Sequence, residues 1–309
     1  MTAPAIEPFE HPALFYRGED EYLDGTVPFV RDGLKAGEPV AIAVPGPNLA
    51  LLRTALGDDA AAVRFLDMTE AGRNPARIIP KVLRAFADAH PRTRVRIIGE
   101  PIWAGRTSDE YPACAQHEAL INPAFQGREA TILCPYDADR LGERVLSDAR
   151  ATHPVVISEG EERRSPAYAP DQVIATYNQA LPPAAEAEEM VFAAGTLPVA
   201  RHFAVEQAVR LGLSGIRLDD LTLVVAELTT NSVVHGGGTG SVRVWTDEGH
   251  VVCEVRDRGH LRDPLAGRRP PTPGQLGGRG LLMVHYLTDL VRIHTGPDGT
   301  TIRCWISNR

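Results

Sequence analysis

The sequence predicts a two-domain α/β protein in which a parallel sheet is followed by a two-layer α/β sandwich. Two observations predict this fold class. Short apolar runs alternate with helical patterns over residues 11–158, whereas residues 189–309 place two helices before hairpin-connected strands. The chain of 309 residues also exceeds what one hydrophobic core usually supports.

The first predicted domain covers residues 1–158. Its apolar runs predict buried strands at 39–44, 63–66, 95–99 and 130–134, and the segments between them predict helices near 19–36, 47–56, 75–90 and 109–126. Strands that alternate with helices indicate βαβ units and a parallel sheet covered on both faces. A three-layer arrangement is therefore expected.

Residues 159–188 are rich in Glu, Arg, Pro and Ala and predict a linker. Within it, Val173, Ile174 and Tyr177 are compatible with a short docking helix.

The second predicted domain covers residues 189–309. Its elements are helices at 197–211 and 218–235, a hairpin of strands 241–246 and 251–257, a helix at 279–288, and a hairpin of strands 289–295 and 300–307. Helices followed by hairpins predict one helical layer on one face of a sheet.

Bulk composition excludes several function classes. The net charge of −8 argues against a nucleic-acid-binding surface, which needs clustered Lys and Arg. The start of the chain lacks the pattern of a signal peptide, and no long apolar run suits a membrane span. We therefore expect a cytoplasmic protein that has no membrane contact. The four cysteines lack metal-ligand spacing, so we expect reduced thiols that lie in the core or are partly buried.

Glu227 and Asn231 recur on one stripe of the long helix, beside the apolar stripe of Leu221, Val225 and Leu228. An amide oxygen can bind Mg²⁺, and a carboxylate can orient or deprotonate a nucleophile. A solvated polar stripe fits the same spacing, so these two residues do not decide the function.

Three downstream segments add ligand-binding chemistry. Asp257-Arg258-Gly259 places a carboxylate at a strand exit, where it can accept from the amino group of adenine. Residues 274–280 are glycine-rich and open a helix, whose free amide groups can hold phosphates. Residues 299–301, Gly-Thr-Thr, begin the last strand. Each segment alone also fits an ordinary turn or hinge.

The ordered set ELTTNSVVHG (227–236), DRG (257–259), GGRGLLMV (277–284) and DGTTIRCW (298–305) resembles the four nucleotide-binding boxes of GHKL ATPases, which have the Bergerat fold. It looks most like the bacterial anti-sigma-factor serine kinases of the RsbW/SpoIIAB type. One departure concerns the first glycine box, which usually reads Asp-x-Gly-x-Gly. Here Gly259 is followed by His260 and Leu261.

The resemblance implies ATP and Mg²⁺ as cofactors and a role for each matching residue. Asn231 would ligate Mg²⁺, Glu227 would act as the catalytic base on a Ser/Thr hydroxyl, and Asp257 would anchor adenine. The remaining cofactor-binding positions are Gly259, Gly277, Gly278, Arg279, Gly280, Leu281, Thr300 and Thr301. Homodimerisation is also implied by the family, although no exposed apolar stripe specifies it.

The first domain lacks the GxxxxGK[ST] phosphate loop. Its opening segment HPALFYRGEDEYLDGTVPFVRDGLKAGEPV, with IIGEPIW, HEALIN and CPYD, resembles the MEDS domain, a RecA-like sensory module. The resemblance implies that it senses a small organic ligand. The candidate ligand-contacting residues are His11, Glu100, Trp103, His117, Glu118 and Asn122. A metal site from His11, His117 and Glu118 stays open, although no ligand spacing demands one.

The combination resembles RsbA-type regulators of sigma-factor activity. It implies transcription control by partner switching, with a sigma factor or a STAS-type anti-sigma antagonist as the protein partner of a Ser/Thr kinase. One alternative is a nucleotide-gated binding module without kinase activity. Another is a sensor histidine kinase, but the segment from His117 to Pro123 has the wrong His-to-Pro spacing for a phosphoacceptor box and lies far before the ATPase.

Overall fold

A largely parallel sheet and an antiparallel sheet form the frameworks of two separate units of the chain, as the predicted fold class requires. The computed structural model describes residues 9–184, 187–270 and 278–308. The first unit ends at Tyr177, and the second begins at Asn178.

The described part of the first unit has eight strands and seven α-helices. The strands are β1 (Phe9–Glu10), β2 (Pro12–Tyr16), β3 (Val40–Val44), β4 (Val63–Asp67), β5 (Val95–Gly99), β6 (Ala130–Asp137), β7 (Val155–Ser158) and β8 (Glu161–Arg164). The helices are α1 (Gly18–Lys35), α2 (Gly46–Leu56), α3 (Met68–Ala71), α4 (Arg84–Ala89), α5 (Tyr111–Ala124), α6 (Glu143–Thr152) and α7 (Pro170–Thr176).

The strand order is β4-β3-β5-β6-β2-β7-β8, and β1 pairs with β6 in the same register as β2. All pairs are parallel except β7 with β8. Every residue of β3 is buried, and Ile42 and Val44 share an apolar cluster with residues of α1 and α2. Because alternate side chains point to opposite faces, the burial of Ala41 and Ala43 shows that the other face is covered as well.

The predicted helix at 75–90 is divided into three segments. A 3₁₀ turn (Pro75–Arg77) leads into a π-helical segment (Ile78–Leu83) and then into α4. Pro80 lies in the π-helical segment and has no amide hydrogen, so it cannot make the ordinary α-helical hydrogen bond.

Part of the segment that was expected to be a linker has regular structure and belongs to the first unit. β8 pairs with β7, and α7 packs against α5 and α6. Val173 and Tyr177 are buried against Ala115 and Ala119 of α5. The apolar residues of α7 and Tyr177 thus pack on the first unit, although the sequence around them is polar.

The described part of the second unit has five strands and three α-helices. They are β9 (Glu188–Ala193), α8 (Leu197–Arg210), α9 (Gly215–His235), β10 (Thr239–Asp247), β11 (His250–Asp257), α10 (Gly280–Leu287), β12 (Leu290–Gly296) and β13 (Gly299–Ile306). The strand order is β12-β13-β11-β10-β9, and every pair is antiparallel.

The three helices of this unit contribute to one core with alternate residues of the sheet. Ala204 of α8, Val225 of α9 and Val284 of α10 join Cys253 of β11 and Cys304 of β13 in this core. A second layer therefore covers one face of the sheet, as predicted. All four cysteines of the chain are buried and reduced.

Candidate nucleotide-binding site

α9 brings Glu227 and Asn231 to the edge of a cavity. The side of α9 that faces the core carries buried residues such as Leu221, Val225 and Leu228, which pack toward the sheet. Glu227 and Asn231 lie one turn apart on the adjoining side, are partly exposed and line the cavity. The helix ends before Gly237 and Gly238, whose φ angles of 89° and 87° lie in the left-handed region.

The cavity has a volume of about 1110 Å³ and is bounded by α9, the segment after β11, the start of α10 and β13. It is roughly the size of pockets that bind drug-sized ligands, or slightly larger. The predicted site residues that line it are Glu227, Asn231, Asp257, Gly259, Gly278, Arg279, Gly280, Leu281 and Thr300. Residues up to 73 positions apart in sequence, from Glu227 to Thr300, thus converge on one cavity.

Asp257 is held in a fixed orientation at the end of β11. Its Oδ2 accepts a hydrogen bond from the Ser232 hydroxyl at 2.7 Å, and its Oδ1 accepts from the Gly259 amide at 2.8 Å. A Cβ on Gly236 would lie 2.3 Å from the Asp257 carboxyl carbon. Glycine at the end of α9 therefore lets the strand exit approach the helix closely.

Thr300 and Thr301 lie on opposite faces of β13. The Thr300 hydroxyl donates to the Gly259 carbonyl at 2.8 Å and lies 3.0 Å from the Thr295 hydroxyl, so it connects β13 to the segment after Asp257. Thr301 instead lines a small depression beside Arg243 and Glu254. The structure does not bring Thr301 to the large cavity.

The predicted phosphate loop approaches α9 closely at its last glycine. A Cβ on Gly280 would lie 2.2 Å from Glu227 Oε2 and 3.5 Å from Asn231 Nδ2. Gly278 has a φ of 80°, and Gly280 begins α10. Leu281 is buried and packs against Gly267, so its side chain belongs to the cavity wall and core. Gly277 lies outside the described residues.

Charged groups of both signs line this cavity. The guanidinium groups belong to Arg262, Arg269 and Arg279, which can neutralise phosphate oxygens. Arg269 forms an ion pair with Asp263. Burial raises the pKa of Asp263, but hydrogen bonds from Arg269 and the Leu265 amide outweigh it and hold the pKa below its usual range.

The first unit brings together only some of the predicted ligand-contacting residues. His11, Glu118 and Asn122 lie close together, since His11 Nδ1 is 3.2 Å from Asn122 Oδ1 and His11 Nε2 is 3.6 Å from Glu118 Oε2. Cys134 and His153, which the sequence analysis did not single out, complete this buried group. Cys134 begins the CPYD segment that resembles the MEDS domain, but no ligand spacing linked Cys134 or His153 to a site.

Glu100, Trp103 and His117 have other surroundings. Glu100 lies just after β5 and accepts a hydrogen bond from the Asn48 amide at 2.8 Å, and burial raises its pKa to about 8. Trp103 is partly exposed and stacks against the Arg106 guanidinium, 3.9 Å from the ring centroid. His117 is buried within α5.

Comparison with protein families matches two separate segments of the chain. Residues 10–154 match MEDS, the methanogen/methylotroph, DcmR sensory domain, and residues 191–305 match the histidine kinase-like ATPase domain. No curated protein shows significant similarity to the chain. Among the described residues, no helix is both long and apolar enough to cross a membrane. The chain therefore joins a MEDS sensory domain to a histidine kinase-like ATPase domain, the composition of a nucleotide-binding signalling protein.

Proposed function

We propose that the second unit binds ATP with Mg²⁺ and phosphorylates a serine or threonine of a protein partner, and that the first unit regulates this reaction in response to a small organic ligand. The observation that carries the proposal is the approach of the phosphate loop to the catalytic helix, where Gly280 faces Glu227 Oε2 and Asn231. Phosphates held by this loop would lie beside a carboxylate base and an amide ligand for Mg²⁺.

Each step of the transfer has a candidate group. Asp257, fixed by Ser232 and Gly259, would accept a hydrogen bond from the adenine amino group. Asn231 would ligate Mg²⁺, and Glu227 would take the proton of the attacking hydroxyl. The hydroxyl oxygen then bonds to the γ-phosphorus while the bond to the β–γ bridging oxygen breaks, and ADP leaves. Positioning and charge neutralisation are the main demands of such a transfer.

The proposed partners are a sigma factor and a STAS-type anti-sigma antagonist, and the antagonist carries the phosphorylated hydroxyl. Phosphorylation adds close to two negative charges to an interface, which suffices to release or exchange a bound protein. Partner switching of this kind would couple the ligand state of the first unit to transcription.

Labelled ATP and Mg²⁺ should be incubated with the full chain and a panel of candidate antagonist proteins. We expect acid-stable label on an antagonist serine or threonine. Glu227→Gln should retain nucleotide binding and reduce the transfer rate by roughly 10² to 10⁴, the usual contribution of a general base. Glu206→Gln, an exposed position on α8, serves as the matched control. Equal transfer rates for both variants would exclude Glu227 as the base.

A nucleotide-gated binding module without transfer is favoured by one observation in the altered glycine box. Leu261, which occupies the position of the missing second glycine, donates its amide to Thr295 Oγ1 at 3.2 Å and packs against the core. A segment anchored in this way closes less freely over a nucleotide. If so, partner binding would depend on ATP, no label would reach the partner, and Glu227→Gln would leave the binding unchanged.

The histidine-kinase alternative is disfavoured by burial. His117 is 1% exposed in α5, so a γ-phosphate cannot reach its ring without local unfolding of the helix. Acid-labile label on the protein itself would support this alternative.

A further inference from the structure

Four side chains form a buried cluster in the first unit, here termed the four-ligand cluster: His11, Glu118, Cys134 and His153. Each offers one ligand atom, and these atoms lie within 4.8 Å of one another. The residues come from the junction of β1 and β2, from α5, from β6 and from the position after α6. All four are at most 1% exposed.

Three distances inside the cluster are close to those between the ligands of one tetrahedral ion. Glu118 Oε2 lies 3.1 Å from His153 Nε2 and 3.6 Å from His11 Nε2, and Cys134 Sγ lies 3.4 Å from His11 Nε2. Zinc bonds of about 2.0 Å to nitrogen or oxygen and about 2.3 Å to sulfur place tetrahedral ligands roughly 3.3 to 3.6 Å apart. Three of the six pairs of ligand atoms therefore already have the spacing of zinc ligands.

Hydrogen bonds outside the cluster orient both imidazoles toward its centre. The Asn122 amide nitrogen donates to the carbonyls of Ala119 and Thr152, which leaves the amide oxygen to accept from His11 Nδ1. His153 Nδ1 lies 2.8 Å from the Ala149 carbonyl and donates to it. With both Nδ1 atoms acting as donors, both Nε2 lone pairs point inward, which is the usual arrangement of metal-binding histidines.

Three polar atoms at the centre, the two Glu118 carboxylate oxygens and His153 Nε2, lack hydrogen bonds within the described part of the chain. Among the described residues, neither Glu118 carboxylate oxygen nor His153 Nε2 has a partner in hydrogen-bond geometry, although 3.1 Å separates Nε2 from Oε2. A buried carboxylate without hydrogen bonds is costly, and a cation at the centre would be bound by one Glu118 oxygen and the His153 imidazole at once.

We propose that the four-ligand cluster binds one divalent transition-metal ion of the zinc class. The donor set of one thiolate, two imidazoles and one carboxylate suits zinc and disfavours Mg²⁺ and Ca²⁺, which prefer oxygen ligands. All four positions are filled by protein groups, as in structural zinc sites. The ion would tie β6 and the β1–β2 strand to α5 and α6, independently of the nucleotide site in the second unit.

The test uses the full, tag-free chain, stripped with a chelator and titrated with Co²⁺ and Zn²⁺ in the absence of nucleotide. We expect one ion per chain, tetrahedral Co²⁺ absorption, and a thiolate-to-cobalt charge-transfer band. Cys134→Ser should remove the charge-transfer band, and His153→Ala should lower the affinity at least tenfold. Cys253→Ser, a buried cysteine of the other unit, should leave both unchanged.

Two results would overturn the proposal. One is substoichiometric binding of both ions by the folded wild-type chain. The other is a bound ion whose charge-transfer band persists in Cys134→Ser. Should that variant fail to fold, X-ray absorption of the wild-type zinc form decides: one sulfur with nitrogen and oxygen neighbours supports the site, and a shell without sulfur excludes it.

Discussion

Replacing Gly280 with alanine should damage phosphoryl transfer while it leaves the fold intact. The added methyl group would lie 2.2 Å from Glu227 Oε2, well inside a normal carbon–oxygen contact of roughly 3.2 Å. The carboxylate must therefore move by about 1 Å, a displacement that typically costs about 10²-fold in rate. The backbone itself tolerates the change, since Gly280 is the first residue of α10 and alanine favours helices.

The assay compares transfer rate, ATP affinity and thermal unfolding for Gly280→Ala and for Gly195→Ala. Gly195 is the matched control, because its added methyl group meets nothing within 4 Å. We expect a rate loss of about 10²-fold only for Gly280→Ala, with unfolding temperatures within a few degrees of the wild type for both. A Gly280→Ala protein that transfers phosphate as fast as the wild type would refute the placement of this loop beside the reacting groups.

Three further substitutions test other parts of the chain. Asp257→Asn should weaken ATP binding by roughly 1.5 to 3 kcal/mol, because that is the contribution of a hydrogen bond to a charged group. Calorimetric titration measures the affinity, and an unchanged affinity would contradict the adenine role. The pKa of Glu100 is raised to about 8 in the folded chain. Because the carboxyl ionises in the unfolded chain but not in the folded chain between about pH 4.5 and pH 8, the wild-type protein should lose stability as the pH rises through this range. Glu100→Gln should remove this loss and gain on the order of 4 kcal/mol near pH 8 in denaturant titrations. A parallel pH profile for both proteins would disprove the prediction. Arg303→Leu leaves the buried Glu254 carboxylate without its ion-pair partner and should lower the free energy of unfolding by about 3 to 5 kcal/mol. A smaller loss in the double variant Arg303→Leu/Glu254→Leu would show that the unpaired charge is the cause.

The sequence predicted elements best where the local pattern was long or repeated. The helix that became α9 and both hairpins of the second unit were located within a few residues, because helical periodicity and glycine turns are local signals. Glu248 and Gly249 have positive φ angles of 44° and 81°, as the predicted hairpin turn requires. By contrast, β2 was missed although it lies inside the sheet, since five residues that begin with proline do not resemble a central strand.

The two candidate sites also differ in how far local sequence patterns predict them. The nucleotide site is built from short glycine-bearing segments whose order along the chain is itself a signature. The role of Glu227 was therefore predicted from segments far downstream of it. The four-ligand cluster has no such ordered set of glycine-bearing segments. His11, Glu118 and Cys134 lie in segments that resemble the MEDS domain, but each ligand comes from a different element and His11 is 123 positions from Cys134. Only the parallel pairing of the β1–β2 strand with β6 places these two side chains on one face, with α5 and the end of α6 above them. A search for metal ligands at short spacing in one loop therefore does not detect this cluster. The ligands become neighbours only when the sheet forms.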